Sequence, residues 1–230
     1  LHDENKEYLF LTNNSGYTPR ELSQKLARMG LDVTEEHFYT SALATAAFLR
    51  DQAPGCSVFA IGEAGLLNAL YDAGITMNDV NPDYVVVGEG RSYSLDTLTK
   101  ATNLVWKGAK LIGANSDVSG PIENGIAPAC RALIAPIEMA TGKQAYFCGK
   151  PNPLMMRTGL KMLNCHSAEA VMVGDRMDTD VISGMESGMS TVLVLSGVST
   201  RESLRTYAYR PSIVLDGVGD IAAMARAEKK

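Results

Sequence analysis

The stretch from Val171 to Gly197 constrains the fold more than any other part of the chain. It reads VMVGDRMDTDVISGMESGMSTVLVLSG, so an apolar run, a polar turn, a helix-like segment and a second apolar run follow one another. This order predicts a strand–helix–strand unit of a parallel sheet. Asp175 and Asp180 then stand at the carboxyl end of the first strand.

Two acidic residues at such a position have two interpretations. Open parallel sheets bind their ligands outside the carboxyl ends of the strands, where a pair of carboxylates can hold a hard cation such as Mg²⁺. Alternatively, Asp175 only caps the helix and Asp180 is a solvated acid of its first turn. This stretch alone does not choose between a metal site and a helix cap.

The length and charge of the chain exclude several classes of protein. With 230 residues, the chain can form a sizeable core and two domains. A net charge of -5 argues against nucleic acid or an anionic membrane as partner, because both need a basic face. The sequence has no apolar run long enough to span a bilayer, and its opening residues do not resemble a signal peptide. We therefore expect an ordinary globular protein of the cytoplasm.

The cysteines and histidines fit that expectation. Four cysteines are scattered along the chain without a CxxC pair, namely Cys56, Cys130, Cys148 and Cys165. This pattern predicts free thiols in a reducing compartment, most of them small residues of the core. The three histidines are equally scattered, so the sequence predicts no zinc-type cluster.

A second candidate site follows the first predicted strand, Tyr8 to Leu11. Thr12 and Asn13 come directly after it, in a turn that precedes a capping box and a helix. A hydroxyl and free backbone amides in such a turn suit a phosphate group. A plain turn without a ligand is the alternative.

The middle of the chain reads as a further series of strands and helices. Its predicted strands are Val58–Ile61, Tyr84–Val87 and Leu111–Ala114, and its predicted helices are Glu63–Ala73, Leu95–Lys107 and Ala129–Thr141. Asn115 to Asn124 is expected to be a polar loop, long enough to carry a function. The last strand is predicted at Ile213 to Leu215, and Ala222 to Lys230 is expected to fray.

A third candidate site contains a lysine. Lys150 follows the predicted strand Tyr146–Cys148 and precedes the helix Leu154–Leu163, within the sequence GKPNP. A lysine between a strand end and a helix N-terminus can neutralise a phosphoryl group, although a surface lysine is the commoner case. Hydroxyl, ammonium and carboxylates at the ends of separate strands together predict phosphoryl transfer.

These motifs, in this order, resemble those of the haloacid dehalogenase superfamily of phosphatases. LFLTNN is similar to its second motif, GKPNP to its third and GDRMDTD to its fourth, and DVNPDYVVVGEGRSY resembles the NagD-like branch. The resemblance implies an α/β protein with a Rossmann-like parallel-sheet core. Residues 1–54 and 145–230 would form the core, and residues 55–144 an inserted α/β cap domain of the C2 type.

The resemblance also implies a role for each candidate residue. The protein would be a Mg²⁺-dependent phosphatase that forms an aspartyl-phosphate. Thr12 and Asn13 would hold the phosphoryl oxygens, and Lys150 would join nucleophile and phosphate electrostatically. Asp175 would bind the metal, and Asp180 would support the metal site from outside the ligand shell or through a bridging water.

The cap would decide what the enzyme hydrolyses. It would close over a small phosphorylated metabolite, such as a nucleoside monophosphate or a sugar phosphate, and exclude water. Its polar loop would recognise the leaving group, with Asn115 and Asp117 as candidates. The resemblance further implies a possible homo-oligomer through the cap.

One part of the family pattern is missing. The first motif of the family, a strand followed by Asp-x-Asp-Gly, supplies the nucleophile and the general acid/base, and this sequence has no counterpart. Leu1 to Asn5 resembles the tail that follows that motif. We therefore hypothesise that the natural protein has further residues before Leu1 and between Asn5 and Lys6.

Two other functions compete with a phosphatase. If the first motif is truly absent, the protein is a catalytically silent phosphate-binding protein. A dinucleotide-dependent oxidoreductase would share the alternating strands and helices. However, no GxGxxG sequence follows a strand, and Gly62 to Gly65 is only a partial match.

Overall fold

The computed structural model describes residues 6–91 and 93–227. By its internal contacts the chain divides into a first unit, Leu1–Gly149, and a second unit, Lys150–Lys230. Leu1 to Asn5, which resemble the tail that follows the family's first motif, lie outside the described residues, as do the last three residues of the predicted tail. No helix in the described part of the chain is long and apolar enough to cross a membrane.

The first unit alternates strands and helices along most of its length. Its helices are α1 (Pro19–Arg28), α2 (Ser41–Gln52), α3 (Ala64–Asp72), α4 (Leu95–Trp106) and α5 (Cys130–Thr141). Its strands are β1 (Phe10–Thr12), β2 (Phe38–Thr40), β3 (Ser57–Ile61), β4 (Thr76–Met77), β5 (Tyr84–Val87), β6 (Lys110–Gly113), β7 (Ser119–Ile122), β8 (Gly125–Pro128) and β9 (Tyr146–Phe147).

Two parallel sheets organise this unit. β1 pairs with β2, with Thr12 opposite Thr40 at the carboxyl end. The larger sheet has five strands in the order β4-β3-β5-β6-β9, and all of its pairings are parallel. Since α3, α4 and α5 connect strands of this larger sheet, the unit has the predicted α/β architecture.

The core of the larger sheet follows from the apolar spacing of its helices. Val85 and Val87 on β5 are fully buried, and Val105 of α4 and Ile134 and Ile137 of α5 pack with them in one cluster. Burying each such side chain stabilises the fold by roughly 1.5–3 kcal/mol.

The cysteines behave as predicted. All four are free; Cys56, Cys130 and Cys148 are buried, and Cys165 is half-buried. Burial raises the pKa of the Cys130 and Cys148 thiols to about 12. These two residues therefore act as small core residues rather than as reactive thiols.

One local prediction in the first unit is wrong. Residues 115–124 were expected to be a loop throughout, but Ser119–Ile122 forms β7 and pairs antiparallel with β8. The glycine and proline content of both hairpin strands hides their strand character from the sequence pattern.

The second unit holds a three-stranded parallel sheet. Its strands are β10 (Val171–Gly174), β11 (Ser190–Val194) and β12 (Ile213–Leu215), paired in that order, and its helices are α6 (Pro153–Met162), α7 (Ile182–Glu186) and α8 (Asp220–Ala227). Most predicted elements of both units differ from the observed ones by one or two residues at their ends.

Two predictions in the second unit need correction. The segment between β10 and β11 is not one regular helix, because a π-helical turn at Met177–Val181 precedes α7. Residues 222–227, expected to fray, belong to α8. Its sequence DIAAMARA is rich in alanine and begins with an acid, and both features favour a helix.

Candidate active site

The candidate residues of the second unit form a cluster around a buried ion pair. Lys150 Nζ donates to Asp180 Oδ1 at 2.7 Å. Only 8% of Lys150 and 5% of Asp180 are exposed. We call Lys150, Asp175 and Asp180 the Asp180 cluster. A buried carboxylate needs such a partner, because desolvation of an unpaired charge is costly.

The second oxygen of Asp180 fixes the turn after β10. Asp180 Oδ2 accepts hydrogen bonds from the backbone amides of Asp175 and Arg176, each at 3.1 Å. Both oxygens of Asp180 are therefore occupied by protein donors. This arrangement suits a residue that orients the turn.

Asp175 has a different environment. Its Oδ2 accepts a hydrogen bond from the Val198 amide at 2.8 Å, and its carbonyl accepts one from the Ser199 amide at 3.0 Å. Asp175 is half-buried, and no group among residues 6–91 and 93–227 donates a hydrogen bond to its Oδ1. One oxygen of a fixed carboxylate can thus accept a ligand.

Two glycines make room for these carboxylates. A Cβ atom at Gly174 would overlap the side chain of Asp180, and a Cβ atom at Gly197 would overlap that of Asp175. The sequence interpretation did not assign either glycine to the site. Gly174 ends β10 directly before Asp175, and Gly197 lies in the turn that follows β11; these positions are the sequence signal that could have identified them.

The carboxylates fit a hard cation with few protein ligands. Among the described residues, no group of three or more His, Cys, Asp or Glu side chains is placed to hold a metal ion. Mg²⁺ commonly binds through only one or two carboxylates, with water and phosphate oxygens as its other ligands. Asp175 offers an oxygen of that type.

The first unit contains the other candidate residues, at the carboxyl end of β1. Thr12 Oγ1 accepts a hydrogen bond from the Asn14 amide at 3.1 Å, and the Thr12 hydroxyl donates none within the described part of the chain. Asn14 Oδ1 in turn accepts from the amides of Gly16 and Tyr17. These bonds shape the turn and leave the Thr12 hydroxyl hydrogen for a ligand.

Asn13 is held by residues far away in the sequence. Its carbonyl accepts hydrogen bonds from Ser41 Oγ at 2.6 Å and from Asn115 Nδ2 at 2.7 Å. Its own Nδ2 donates to Asp117 Oδ2 at 3.1 Å. We call Asn13, Ser41, Asn115 and Asp117 the Asn13 cluster.

Glu89 and Ser15 border this cluster and were not found from the sequence. Glu89 Oε1 accepts a hydrogen bond from Asn115 Nδ2 at 3.1 Å, and the Glu89 amide donates to Ser15 Oγ at 2.8 Å. Burial raises the pKa of the Glu89 carboxyl, and the nearby Asp117 carboxylate raises it further, although the bond from Asn115 opposes the shift. No short motif marks either residue.

Known proteins with similar sequences establish the family to which the chain belongs. A family model described as haloacid dehalogenase-like hydrolase matches residues 1–76, and a second model of HAD-like hydrolases matches residues 147–221. Dihydroxyacetone phosphatase of Corynebacterium glutamicum is 49% identical over 222 residues, which cover 96% of this chain and 81% of that protein. This chain belongs to the haloacid dehalogenase-like hydrolases.

A second relative supports the NagD-like branch. Ribonucleotide monophosphatase NagD of Escherichia coli K12 is 42% identical over 96% of this chain and 87% of its own length. The solved structure of NagD matches with a TM-score of 0.88, covering 95% of this chain and 86% of NagD. The protein is therefore a NagD-like haloacid dehalogenase phosphatase, as the motifs predicted, and not an oxidoreductase.

The candidate residues of this phosphatase fall into the two clusters. Asn13, Asn115 and Asp117 are joined by hydrogen bonds in the first unit, with Thr12 beside Asn13. Lys150, Asp175 and Asp180 are joined in the second unit. The role of each residue stays a prediction.

Proposed function

We propose that this protein is a Mg²⁺-dependent phosphomonoesterase that acts on a small phosphorylated metabolite through an aspartyl-phosphate. The substrate would be a nucleoside monophosphate or a sugar phosphate, in line with the names of the relatives. The observation that carries the proposal is the Asp180 cluster, in which a buried lysine pairs with the Asp180 carboxylate and that carboxylate holds the backbone of Asp175 after β10.

In this proposal Asp175 holds the metal ion and Asp180 supports it. The open Oδ1 of Asp175 and the occupied oxygens of Asp180 fit these roles. When bound, Mg²⁺ supplies positive charge that neutralises the transferred phosphoryl group. Lys150, Thr12 and Asp180 are the proposed catalytic residues of the described chain.

Lys150 adds a second positive charge and Thr12 a hydrogen-bond donor. The ammonium group of Lys150 is nearly buried, so its field is less screened than that of a surface lysine. Thr12 and Asn13 are the proposed phosphate ligands. Because the Asn13 amide group already donates to Asp117, the Thr12 hydroxyl is the side-chain donor we assign to the phosphoryl oxygens.

The covalent step needs a carboxylate that attacks phosphorus while the alcohol leaves, after which water cleaves the acyl phosphate. The family assigns this carboxylate to its first motif. We assign it to no residue that the structure describes.

The predicted domains remain part of the proposal. Residues 1–54 and 145–230 would form the core, and residues 55–144 the cap. Strands β3 to β6 of the five-stranded sheet lie within residues 55–144 and support a cap with its own hydrophobic core, whereas β9 lies just beyond the predicted boundary. The specificity role predicted for Asn115 and Asp117 belongs to this cap.

The location and assembly of the protein are also proposals. The free cysteines suit the reducing cytoplasm. Val118, Ile122 and Ile126, on or beside the hairpin β7–β8, are largely exposed and could contribute to a homo-oligomer through the cap.

The decisive experiment measures inorganic phosphate released from a panel of nucleoside monophosphates, sugar phosphates and dihydroxyacetone phosphate. We expect turnover of at least one compound with Mg²⁺ and none after chelation with EDTA. Phosphate binding without turnover would favour the silent phosphate-binding protein instead. Neither turnover nor phosphate binding would contradict both functions.

A further inference from the structure

The carbonyl of Asn13 is fixed by side chains from outside its own turn. Ser41 Oγ and Asn115 Nδ2 both donate to it, and they lie 28 and 102 residues away along the chain. Two donors fill the two lone pairs of a carbonyl oxygen. The orientation of the peptide unit after Asn13 is therefore determined by α2 and by the segment that follows β6.

Asn13, Asn115 and Asp117 form a closed ring of hydrogen bonds. Asn115 donates to the Asn13 carbonyl, the Asp117 amide donates to Asn115 Oδ1 at 3.1 Å, and Asn13 Nδ2 donates to Asp117 Oδ2 at 3.1 Å. Each residue donates one bond of the ring and accepts one. Such a ring fixes the relative orientation of all three groups.

The environment of Asn115 requires an amide. The residue is 0% exposed, and its Nδ2 faces two acceptors, the Asn13 carbonyl and Glu89 Oε1. Its Oδ1 faces a donor, the Asp117 amide. An aspartate here would place a carboxylate oxygen, which is an acceptor, against the two acceptors now bonded to Nδ2. An alanine would leave both acceptors without the Nδ2 donor.

The ring lies directly beside the residue that we assign to the phosphoryl group. Thr12 immediately precedes Asn13, and its hydroxyl is bonded to the Asn14 amide on the other side of Asn13. Rotation of the Asn13 peptide unit would therefore redirect Thr12. Displacement of a substrate-binding group by about 1 Å can lower activity by about a hundredfold.

We propose that Asn115 is a positioning residue of the phosphatase, whose amide holds the Asn13 carbonyl so that Thr12 and Asn13 face the phosphoryl group. This inference rests on the proposed function, because it assumes that the Thr12–Asn13 turn binds phosphate. Asn115 would then position the phosphate-binding turn, a role different from the recognition of the leaving group that the family resemblance implied.

The test compares Asn115→Ala and Asn115→Asp with the wild-type chain. Asn115→Asp keeps the shape and the acceptor for the Asp117 amide but removes the donor. We expect both variants to bind inorganic phosphate, measured as a competitive inhibitor, about tenfold more weakly or worse, with lower kcat/KM. The Mg²⁺ concentration for half-maximal activity should not change, whereas general damage to the fold would alter it.

Asn103→Ala is the matched control. Asn103 is an exposed asparagine of α4 whose Nδ2 donates to the Thr99 carbonyl at 2.9 Å. This variant also loses one amide-to-carbonyl bond in the same unit, and it should keep wild-type phosphate affinity. If Asn115→Asp folds and binds phosphate like Asn103→Ala, the positioning role is overturned.

A further variant covers the case in which both Asn115 variants fail to fold. Ser41→Ala removes the other donor to the Asn13 carbonyl, and we expect it to weaken phosphate binding in the same direction by a few-fold. Wild-type phosphate affinity in Ser41→Ala would then overturn the proposal. A wild-type chain that neither binds nor releases phosphate would overturn the proposed function itself, which separates the two failures.

Discussion

The Asp180 cluster of the second unit is centred on an ion pair, whereas the Asn13 cluster of the first unit is centred on a backbone carbonyl that accepts hydrogen bonds from a hydroxyl and an amide. In the former, an ammonium and a carboxylate meet at 2.7 Å in a nearly buried position. In the latter, the Asn13 carbonyl accepts bonds from a serine and an asparagine. We therefore expect substitutions in the two clusters to change the free energy of unfolding by different amounts.

Charge and neutral hydrogen bonds serve different purposes in such a site. Removing one partner of a buried ion pair typically costs about 3–5 kcal/mol, while a neutral hydrogen bond contributes about 0.5–1.5 kcal/mol. We therefore expect variants of the Asp180 cluster to change stability and chemistry together. Variants of the Asn13 cluster should mainly change geometry and phosphate affinity.

The largest effect is expected for Lys150→Ala. This variant leaves the Asp180 carboxylate without its ammonium partner, so it should abolish turnover and lower the free energy of unfolding by about 3–5 kcal/mol in urea titrations. Adding Asp180→Asn should restore much of that stability but no activity.

Lys100→Ala is the control for that variant, because Lys100 pairs with Asp79 at 2.6 Å on the surface of the first unit. A surface pair contributes little to stability, so this variant should unfold nearly like the wild type. Equal losses of stability for the two lysine variants would contradict the distinction between a buried and an exposed ion pair.

A smaller effect is expected for Gly174→Ala. Because the new Cβ would overlap the Asp180 side chain, the turn after β10 must shift. Overpacking of this kind costs about 1–3 kcal/mol, and activity should fall as the carboxylate moves. Gly217→Ala, with nothing within 4 Å of its added Cβ, should leave both unfolding and phosphate release unchanged. A wild-type melting curve for Gly174→Ala would show that the turn is not tightly packed.

The smallest effect concerns Glu89 beside the Asn13 cluster, and it depends on pH. Burial raises the pKa of this carboxyl above its ordinary value of 4.5, so the folded state favours the protonated form. The resulting stability is present at low pH and is lost as pH rises through the raised pKa.

Glu89→Gln removes this titration and keeps an acceptor for Asn115. The variant should match the wild type at about pH 4 and be more stable than it at about pH 8, as measured by urea unfolding. The exposed Glu123→Gln is the control for removing one carboxylate from the same unit. A difference between Glu89→Gln and wild type that does not change with pH would contradict the burial of a titrating group.

The two clusters also differ in how far they could be predicted from the sequence. The Asp180 cluster was found because its residues lie in compact motifs, GKPNP and GDRMDTD, at the ends of strands with clear apolar patterns. Most helices and strands were found for the same reason. The hairpin β7–β8 was missed because its strands are short and contain glycine and proline.

The Asn13 cluster could be predicted only in part. Thr12 and Asn13 were candidates because they follow β1, and Asn115 and Asp117 because they lie in a polar segment. Their mutual bonds join positions more than 100 residues apart, and no local pattern encodes such contacts. Ser41 and Glu89 were missed because their roles depend on this tertiary arrangement.

The most direct test of the account is the Mg²⁺ dependence of phosphate release by Asp175→Asn. Asp178→Asn is its control, since Asp178 is an exposed acid in the same segment, paired with Arg176. If Asp175 holds the metal, its variant should be inactive or need at least about tenfold more Mg²⁺, while Asp178→Asn should behave like the wild type. A wild-type Mg²⁺ requirement in Asp175→Asn would contradict the assignment of the metal to the Asp180 cluster.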